Sequence, residues 1–166
     1  FLGRDKCNHT DNVFKHLKKR SKKVFFYKSK KLGKKIFIKQ SHLNCDYIFS
    51  FKNYFILKKK HIKTAKYGAI NFHPATPKYR GLGPVNFSIY NQEKFFGCTA
   101  HMINEKIDNG KILDVKRFKV RKSDGVEIIL NKTYKNLEKQ AKKVINKLLI
   151  SKKNLEKMKL LSEKEK

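Results

Sequence analysis

The chain has 166 residues, enough for one domain with a hydrophobic core but too few for two. Its 39% hydrophobic and 12% aromatic content is compatible with a folded protein, and no apolar run approaches the roughly 18 residues of a membrane span. The formal net charge is +29, and 37 of the 42 basic residues are Lys, since only five are Arg.

Two interpretations of this charge stay open. Nucleic-acid-binding proteins commonly use Arg for bidentate contacts, whereas here Lys is scattered along the whole chain. A solvated surface with a biased composition is therefore the first interpretation. Attraction of a polyanion such as a nucleotide or tRNA is the second.

The three cysteines, Cys7, Cys45 and Cys98, are far apart in the sequence and form no Cys-x-x-Cys pair. This spacing suggests neither a zinc site nor a disulfide framework, and we expect free thiols in a reducing cytoplasm.

The patterns predict alternating strands and helices. A short strand over 1–3 is followed by a helix over 8–20 with Asn8 or Thr10 as its N-cap. Residues 30–44 are ambiguous. The remaining predicted elements in chain order are strands at 24–27 and 46–51, a short helix at 58–66, a strand at 69–73, a helix at 84–91 that begins with Pro84, and strands at 96–103 and 111–120.

The alternation in 96–103 predicts a half-buried strand with Thr99 and His101 on one face. Asp124 and Glu127 then indicate the start of a long helix. Its apolar stripe comprises Leu130, Tyr134, Leu137, Ala141, Val144, Ile145 and Leu148. We predict an α/β domain over 1–150 with a Rossmann-like, mostly parallel sheet and a long C-terminal helix, followed by a Lys/Glu-rich tail over 151–166.

Three polar residues, Asn71, His73 and Asp108, suggest a catalytic site. Asn71 and His73 are two residues apart on a predicted strand, so their side chains share one face. A Pro/Gly-rich loop follows, and Asp108 lies in an Asp-Asn-Gly turn further on. Asn, His and Asp together can polarise a carbonyl and move a proton, which points to acyl transfer.

Each residue also has a plainer interpretation. His73 could be a hydrogen-bonded core histidine, and Asp108 a turn residue. His101 is interpreted as an ordinary strand residue. Arg80 could bind a phosphate or carboxylate, or pack over the loop.

Four linked motifs resemble the formyltransferase family. They are Asn71-x-His73-Pro74, Pro77-x-Tyr79-Arg80-Gly81, Gly97-x-Thr99-x-His101 and Asp108-x-Gly110-x-Ile112-Leu113, and the resemblance covers about residues 46–120. The family uses 10-formyltetrahydrofolate to formylate amines, and includes methionyl-tRNA, glycinamide ribonucleotide and amino-sugar formyltransferases.

The resemblance implies a catalytic role for each of three residues. Asn71 would donate to an oxyanion, His73 would add a donor and carry a proton, and Asp108 would orient His73 and accept that proton. It implies cofactor contacts at Tyr54, Phe55, Ile56, Leu57 and Ile107, and substrate contacts at Arg80, Gly81 and Pro84. It implies 10-formyltetrahydrofolate as co-substrate and no metal.

The chain also departs from the family pattern. The loop Ala75-Thr76-Pro77 is one residue short, and the region before Asp46 is too short for the usual strand–helix units. We therefore expect an abbreviated domain with a truncated front. We also see no room for the C-terminal β-barrel of methionyl-tRNA formyltransferase, so tRNA is a less favoured acceptor.

The predicted function is formyl transfer to a small amine, first a nucleotide-linked amino sugar. The alternatives are methionyl-tRNA or glycinamide ribonucleotide as acceptor, or hydrolysis of the formyl donor. An alternative of another class is a basic nucleic-acid-binding module on an inactive formyltransferase fold. The sequence leaves the oligomeric state open.

Overall fold

A computed structural model describes residues 1–150 together with Leu155 and Met158. In this part of the chain, the strands are β1 (Leu2–Arg4), β2 (Tyr27–Ser29), β3 (Cys45–Phe51), β4 (Ala65–His73), β5 (Phe95–Met102) and β6 (Ile112–Lys119). The α-helices are α1 (Asn8–Lys18), α2 (Lys59–Ile62), α3 (Pro84–Tyr90) and α4 (Val126–Ile150), and a single 3₁₀ turn covers Gln40–His42.

The strands form one sheet in the order β2-β1-β3-β4-β5-β6. The first four run parallel to one another, β5 is antiparallel to β4, and β6 is antiparallel to β5. Five strands therefore point the same way and one is reversed. The predicted α/β fold with a mostly parallel sheet and a long C-terminal helix is confirmed.

The two faces of the sheet are covered differently. On one face, α1 and α4 pack over the main core, which includes Phe49, Phe51, Ile70 and Phe72. The other face carries a smaller cluster around Leu2, Ile48, Leu57 and Ala69, covered by α2 and loop segments. Because side chains alternate along β4, the even-numbered Ile70 and Phe72 enter the main core while Asn71 and His73 lie on the other face.

The second strand differs from the prediction. It runs from Tyr27 to Ser29 rather than over 24–27, because its backbone pairs with Leu2–Arg4 of β1 only from Tyr27 onward. The two aromatic residues before it, Phe25 and Phe26, pack against other rings instead of pairing in the sheet. The Phe26 ring stacks on Phe14 at 4.3 Å between centroids, and Phe25 stacks on His42 at 3.5 Å.

Other element boundaries also differ from the prediction. The N-cap of α1 is Cys7, in an extended conformation, and not Asn8 or Thr10. Helix α2 ends at Ile62, four residues earlier than predicted, because the chain joins β4 already at Ala65, which pairs with Cys45.

The strand β5 is buried on both faces, which corrects the half-buried prediction. Residues 96–101 are all buried, since the main core covers one face and the loops around His73 and Asp108 cover the other. In the first turns of α4, Ile129 and Thr133 are buried in place of Leu130 and Tyr134. Of the predicted tail over 151–166, only Leu155 and Met158 are described, and both are buried in the main core; the rest lies outside the described residues.

Close backbone approach between β5 and β6 gives a testable prediction. A Cβ built on Gly97 would lie 2.1 Å from the carbonyl oxygen of Lys116, whereas one on Gly125 would meet nothing within 4 Å. We expect Gly97→Ala to lower the free energy of unfolding by about 1–3 kcal/mol in urea denaturation. The matched control Gly125→Ala should change it by less than about 0.5 kcal/mol. Equal stability of the two variants would contradict this packing.

Candidate active site

The pairing of β4 with β5 creates a polar surface on the sheet face away from α1 and α4. Asn71 lies directly opposite His101, and His73 lies opposite Thr99. Residues directly opposite in an antiparallel pair have neighbouring side chains on the same face. Four polar side chains therefore meet within a buried region, where each requires a hydrogen-bonding partner.

Asp108 is brought to this surface by the loop between β5 and β6. Its backbone is left-handed, with φ 47°, a conformation that Asp tolerates better than most residues. Gly110 allows the loop to return closely, because a Cβ there would lie 1.6 Å from the carbonyl oxygen of Met102. The turn thereby directs the Asp108 carboxylate toward β4.

The carboxylate of Asp108 joins the predicted trio. Its Oδ1 accepts a hydrogen bond from Asn71 Nδ2 at 3.1 Å, and its Oδ2 lies 3.2 Å from His73 Nδ1. The backbone N–H of Gly81 donates to Oδ2 at 3.0 Å. The structure thus brings Asn71 and His73 into contact with the Asp108 carboxylate.

His101 is a fourth member that the sequence interpretation missed. Its Nε2 lies 3.3 Å from Asp108 Oδ1 and 3.3 Å from Asn71 Nδ2. Its 4% exposure places it as deep as His73, at 6%. The sequence carried two signals, the motif that ends in His101 and the shared face of Thr99 and His101. Only the pairing of β4 with β5 shows that this face is the one that holds Asn71.

Backbone carbonyls fix the protons of both imidazoles. His101 Nδ1 lies 2.8 Å from the Met102 oxygen, and His73 Nε2 lies 2.8 Å from the Tyr79 oxygen. A carbonyl only accepts, so the facing nitrogen carries the proton. In each neutral ring the other nitrogen is then unprotonated and faces the Asp108 carboxylate, so a proton gained there would form a hydrogen bond between ring and carboxylate.

The pKa values of Asp108 and His73 determine their protonation at neutral pH. Burial raises the pKa of Asp108, but His101, His73 and the Gly81 N–H together outweigh burial and hold the pKa at about 2. Burial lowers the pKa of His73, against the attraction of Asp108. At neutral pH the site therefore contains an ionised Asp108 beside a neutral His73 that can gain a proton.

A small cavity of about 200 Å³ opens onto this cluster. It is lined by His73, His101 and Asp108, and by Arg80 from the loop before α3. Typical ligand pockets measure about 300–1,000 Å³, so this cavity accommodates a small reacting group. Of the predicted substrate contacts, Arg80 lines the cavity and Gly81 binds Asp108, whereas Pro84 begins α3 and does not line it.

The predicted cofactor contacts do not line this cavity. Tyr54 stacks under the Arg4 guanidinium at 4.3 Å, and Phe55 packs against His61. Leu57 is 7% exposed and belongs to the smaller core cluster, while Ile56 is 63% exposed and Ile107 is 62% exposed. Their role in cofactor binding remains a prediction.

The described residues contain no group of three His, Cys, Asp or Glu side chains arranged to hold a metal ion. They also contain no helix long and apolar enough to cross a membrane.

Sequence comparison identifies relatives. The family described as "Formyl transferase" matches residues 1–161. The bifunctional polymyxin resistance protein ArnA of Wigglesworthia glossinidia brevipalpis is 37% identical over 110 residues, covering 66% of this chain and 16% of that protein. A methionyl-tRNA formyltransferase of Pelagibacter ubique is 40% identical over 78 residues, covering 46% of this chain and 25% of that enzyme. The chain therefore spans a quarter or less of these two relatives.

Solved structures share the fold. The formyltransferase PseJ from Anoxybacillus kamchatkensis, in complex with UDP-4,6-dideoxy-4-formamido-L-AltNAc and tetrahydrofolate, matches with a TM-score of 0.71 and 21% identity, covering 89% of this chain and 74% of that chain. The phosphoribosylglycinamide formyltransferase from Anaplasma phagocytophilum matches with a TM-score of 0.59 and 22% identity, covering 63% of this chain and 50% of that chain.

The lowered pKa of Asp108 predicts a pH-dependent contribution to stability. The ionised form is favoured by folding, so the contribution is complete above the ordinary carboxyl pKa of about 3.9 and is lost as the pH falls toward 2. We expect Asp108→Asn to lower the free energy of unfolding by about 1–3 kcal/mol at pH 7, and by less near pH 3. Urea denaturation over the range in which both proteins fold measures this. The control Asp46→Asn, at an exposed position, should change the free energy of unfolding at pH 7 by less than about 0.5 kcal/mol. A difference for Asp108→Asn that stays constant with pH would contradict the assignment.

Proposed function

The chain belongs to the formyl transferase family, and we propose that it transfers a formyl group from 10-formyltetrahydrofolate to a primary amine. The observation that carries this proposal is the convergence of Asn71, His73 and His101 on the Asp108 carboxylate beside a small cavity. These groups can donate to a developing oxyanion and remove a proton from an attacking nitrogen. The folate supplies the activated formyl group when bound.

His73 and Asp108 serve the proton transfer. The attacking amine must lose a proton as its bond to the formyl carbon forms. His73 is buried and its pKa is lowered, so it is neutral at pH 7 and has a nitrogen available to accept that proton. Asp108, ionised and 3.2 Å away, stabilises the imidazolium that results.

Asn71 is the proposed donor to the oxyanion, a role typically worth ~10²–10³ in rate. Its amide N–H groups face Asp108 and His101. His101 Nε2 lies 3.3 Å from Asn71 Nδ2 and 3.3 Å from Asp108 Oδ1, so its ring is placed to share the Asn71 amide with that carboxylate. We propose that His101 is a positioning residue that releases an Asn71 N–H for the reaction.

The surroundings fit a flat heterocycle such as the pteridine of a folate. Ile107 adjoins Asp108 and is 62% exposed, and Leu82 adjoins Gly81 and is 72% exposed. Exposed apolar side chains beside a polar reacting centre are typical of surfaces that bind ligands. These two residues and Ile56 would hold the ring, with no catalytic role of their own.

A nucleotide-linked amino sugar is the proposed acceptor. The exposed guanidinium of Arg80 lines the cavity and suits a phosphate. The PseJ complex, which contains a UDP-linked sugar, matches 89% of this chain, whereas the phosphoribosylglycinamide enzyme matches 63%. This support is at the level of the fold, so methionyl-tRNA and glycinamide ribonucleotide are the competing acceptors. A cytoplasmic location remains part of the proposal.

Formyl transfer by the purified chain tests the proposal. We expect turnover of 10-formyltetrahydrofolate with a UDP- or dTDP-linked amino sugar, and less with Met-tRNA or glycinamide ribonucleotide. His73→Ala should lower kcat by about 10²–10⁴ because the general base is lost. The control His16→Ala, on α1, should keep full activity, although it removes a hydrogen bond to Asn146 of α4 and is expected to lower the melting temperature.

Each other outcome has a defined meaning. Release of tetrahydrofolate without any acceptor would indicate hydrolysis of the formyl donor. Binding of nucleic acid that weakens steeply with salt, without turnover, would favour the basic binding module. A folded protein with neither turnover nor folate binding would refute formyl transfer.

The positioning role of His101 predicts different activities for two variants at this position. His101→Gln keeps a hydrogen-bonding group near Asp108 and should retain more activity than His101→Leu, for which we expect kcat to fall by about tenfold or more. The pH profile of kcat should also shift in His101→Leu, because the group that bridges Asn71 and Asp108 is absent. If both variants had the activity and the pH profile of the wild type, His101 would only fill space.

A further inference from the structure

Tyr79 contacts the candidate site with its backbone and a second segment with its side chain. Its carbonyl oxygen lies 2.8 Å from His73 Nε2, and its own N–H donates to the Thr76 oxygen at 3.0 Å. The hydroxyl, at the other end of the residue, donates to Glu93 Oε1 at 2.7 Å. Asn91 Nδ2 donates to the same hydroxyl at 2.9 Å. The residue therefore connects the imidazole of His73 with the segment between α3 and β5.

The ring of Tyr79 lies against a hydrophobic cluster. It packs on Phe96 of β5 with 6.2 Å between ring centroids, and Phe96 is fully buried. The same cluster includes Ala75, Val85 and Ile129. A change from Tyr to Phe keeps these apolar contacts of the ring and removes only the hydroxyl. The packing of Tyr79 and its hydrogen bonds to the α3–β5 segment can therefore be tested separately.

Glu93 is a fixed acceptor for this hydroxyl. Its backbone N–H donates to the Ser88 oxygen at 2.9 Å, and Gln92 before it is left-handed with φ 50°. The hydrogen bonds from Lys78 and Tyr79 lower the pKa of the Glu93 carboxyl, so this group is ionised at neutral pH. A hydrogen bond to a carboxylate is stronger than one to a neutral acceptor. The carboxylate thus holds the end of the Tyr79 side chain.

The position of the Tyr79 carbonyl decides where the proton of a neutral His73 lies. The ring has an acceptor on each side, the Tyr79 oxygen at Nε2 and the Asp108 carboxylate 3.2 Å from Nδ1. A neutral imidazole carries one proton and can donate to only one of them. If the carbonyl were displaced, the Asp108 carboxylate would draw the proton to Nδ1. That nitrogen could then no longer accept a proton from an attacking amine.

We propose that Tyr79 is a positioning residue, whose hydroxyl, held by Glu93 and Asn91, fixes the carbonyl that keeps His73 protonated at Nε2. Glu93 acts through Tyr79 and does not line the cavity. This inference rests on the proposed formyl transfer for its effect on activity. The state of the His73 ring is measured without any substrate, so the two proposals fail separately.

Other groups also influence the His73 ring. The ionisable ones are Asp108 at 3.2 Å, His101 with its ring edge-on at 6.4 Å between centroids, and Arg80 and Lys111, which line the same cavity. Burial, with a smaller contribution from His101, lowers the pKa of His73, whereas Asp108 and the hydrogen bond to the Tyr79 oxygen raise it. Loss of the Tyr79 contact should therefore lower the pKa of His73 further.

The first test compares the full chain with Tyr79→Phe by NMR of isotope-labelled histidine. The spectrum reports which ring nitrogen carries the proton, and the signal that is absent from His73→Ala identifies His73. We expect protonation at Nε2 in the unaltered protein and a mixture of both tautomers in Tyr79→Phe. The pKa of His73 should fall by about half a pH unit, because one hydrogen bond of this kind changes the proton affinity by roughly threefold.

Formyl transfer gives the second readout. We expect Tyr79→Phe to lower kcat by about three- to tenfold with little change in KM, because the general base acts in the reaction and not in acceptor binding. Glu93→Ala should have the same effects on kcat and on the tautomer of His73. Glu93→Gln keeps an acceptor for the Tyr79 hydroxyl and should restore most of both.

Two controls separate this role from nearby effects. Tyr90→Phe removes a hydroxyl from a side chain of α3 that is 85% exposed, and it should change neither readout. Lys78→Met removes the exposed cation that pairs with Glu93 while the Tyr79 hydroxyl keeps its acceptor. Because exposed ion pairs contribute little, kcat should stay within about twofold and the tautomer of His73 should not change.

An unchanged tautomer and pKa of His73 in Tyr79→Phe and Glu93→Ala would overturn the positioning role, whatever their melting temperatures. Protonation at Nδ1 in the unaltered protein would overturn it as well, so the proposal is falsifiable even if a variant fails to fold. A shifted tautomer in a chain that shows no turnover would support the positioning role and count against formyl transfer. Turnover together with an unshifted tautomer would do the reverse.

Discussion

The buried carboxylate of Asp108 is the constraint on which the candidate site depends. Its side chain is 12% exposed, and an ionised carboxylate loses most of its hydration at such a position. Asn71 Nδ2 donates to Oδ1 and the Gly81 N–H donates to Oδ2, while the imidazoles of His101 and His73 lie 3.3 and 3.2 Å from the same two oxygens. Removal of either donor leaves part of a buried charge without a hydrogen bond.

The reversed strand β5 makes this arrangement possible. Its antiparallel register places His101 opposite Asn71, and the loop that leaves it returns Asp108 to the same face. The close approach of Gly110 to Met102 keeps that loop short and fixed. A rigid sheet thus positions Asn71, His73 and His101, and a left-handed turn positions Asp108, which is how preorganised sites obtain donors without reorganisation during reaction.

The high net charge is distributed unevenly between surface and interior. The exposed lysines surround the domain, as expected for a solvated surface, and attraction of a phosphate-bearing ligand remains a hypothesis. Two cations contact aromatic rings: Arg4 lies over the ring of Tyr54, and Lys52 lies over the ring of Tyr134. Aromatic faces stabilise cations where carboxylates are scarce, and this chain has only 13 acidic residues.

The sequence by itself determined the α/β fold, the long C-terminal helix and the parity that groups Asn71 with His73, because periodicity and the alternation of strands are local properties. It also indicated the family through four motifs. The tertiary structure decided the rest. The start of β2, the extension of β4 to Ala65 and the burial of both faces of β5 depend on partners distant in sequence. His101 belongs to the site for the same reason: its role follows from the strand opposite it, and strand pairing is set by the packing of the whole sheet, which no local pattern records.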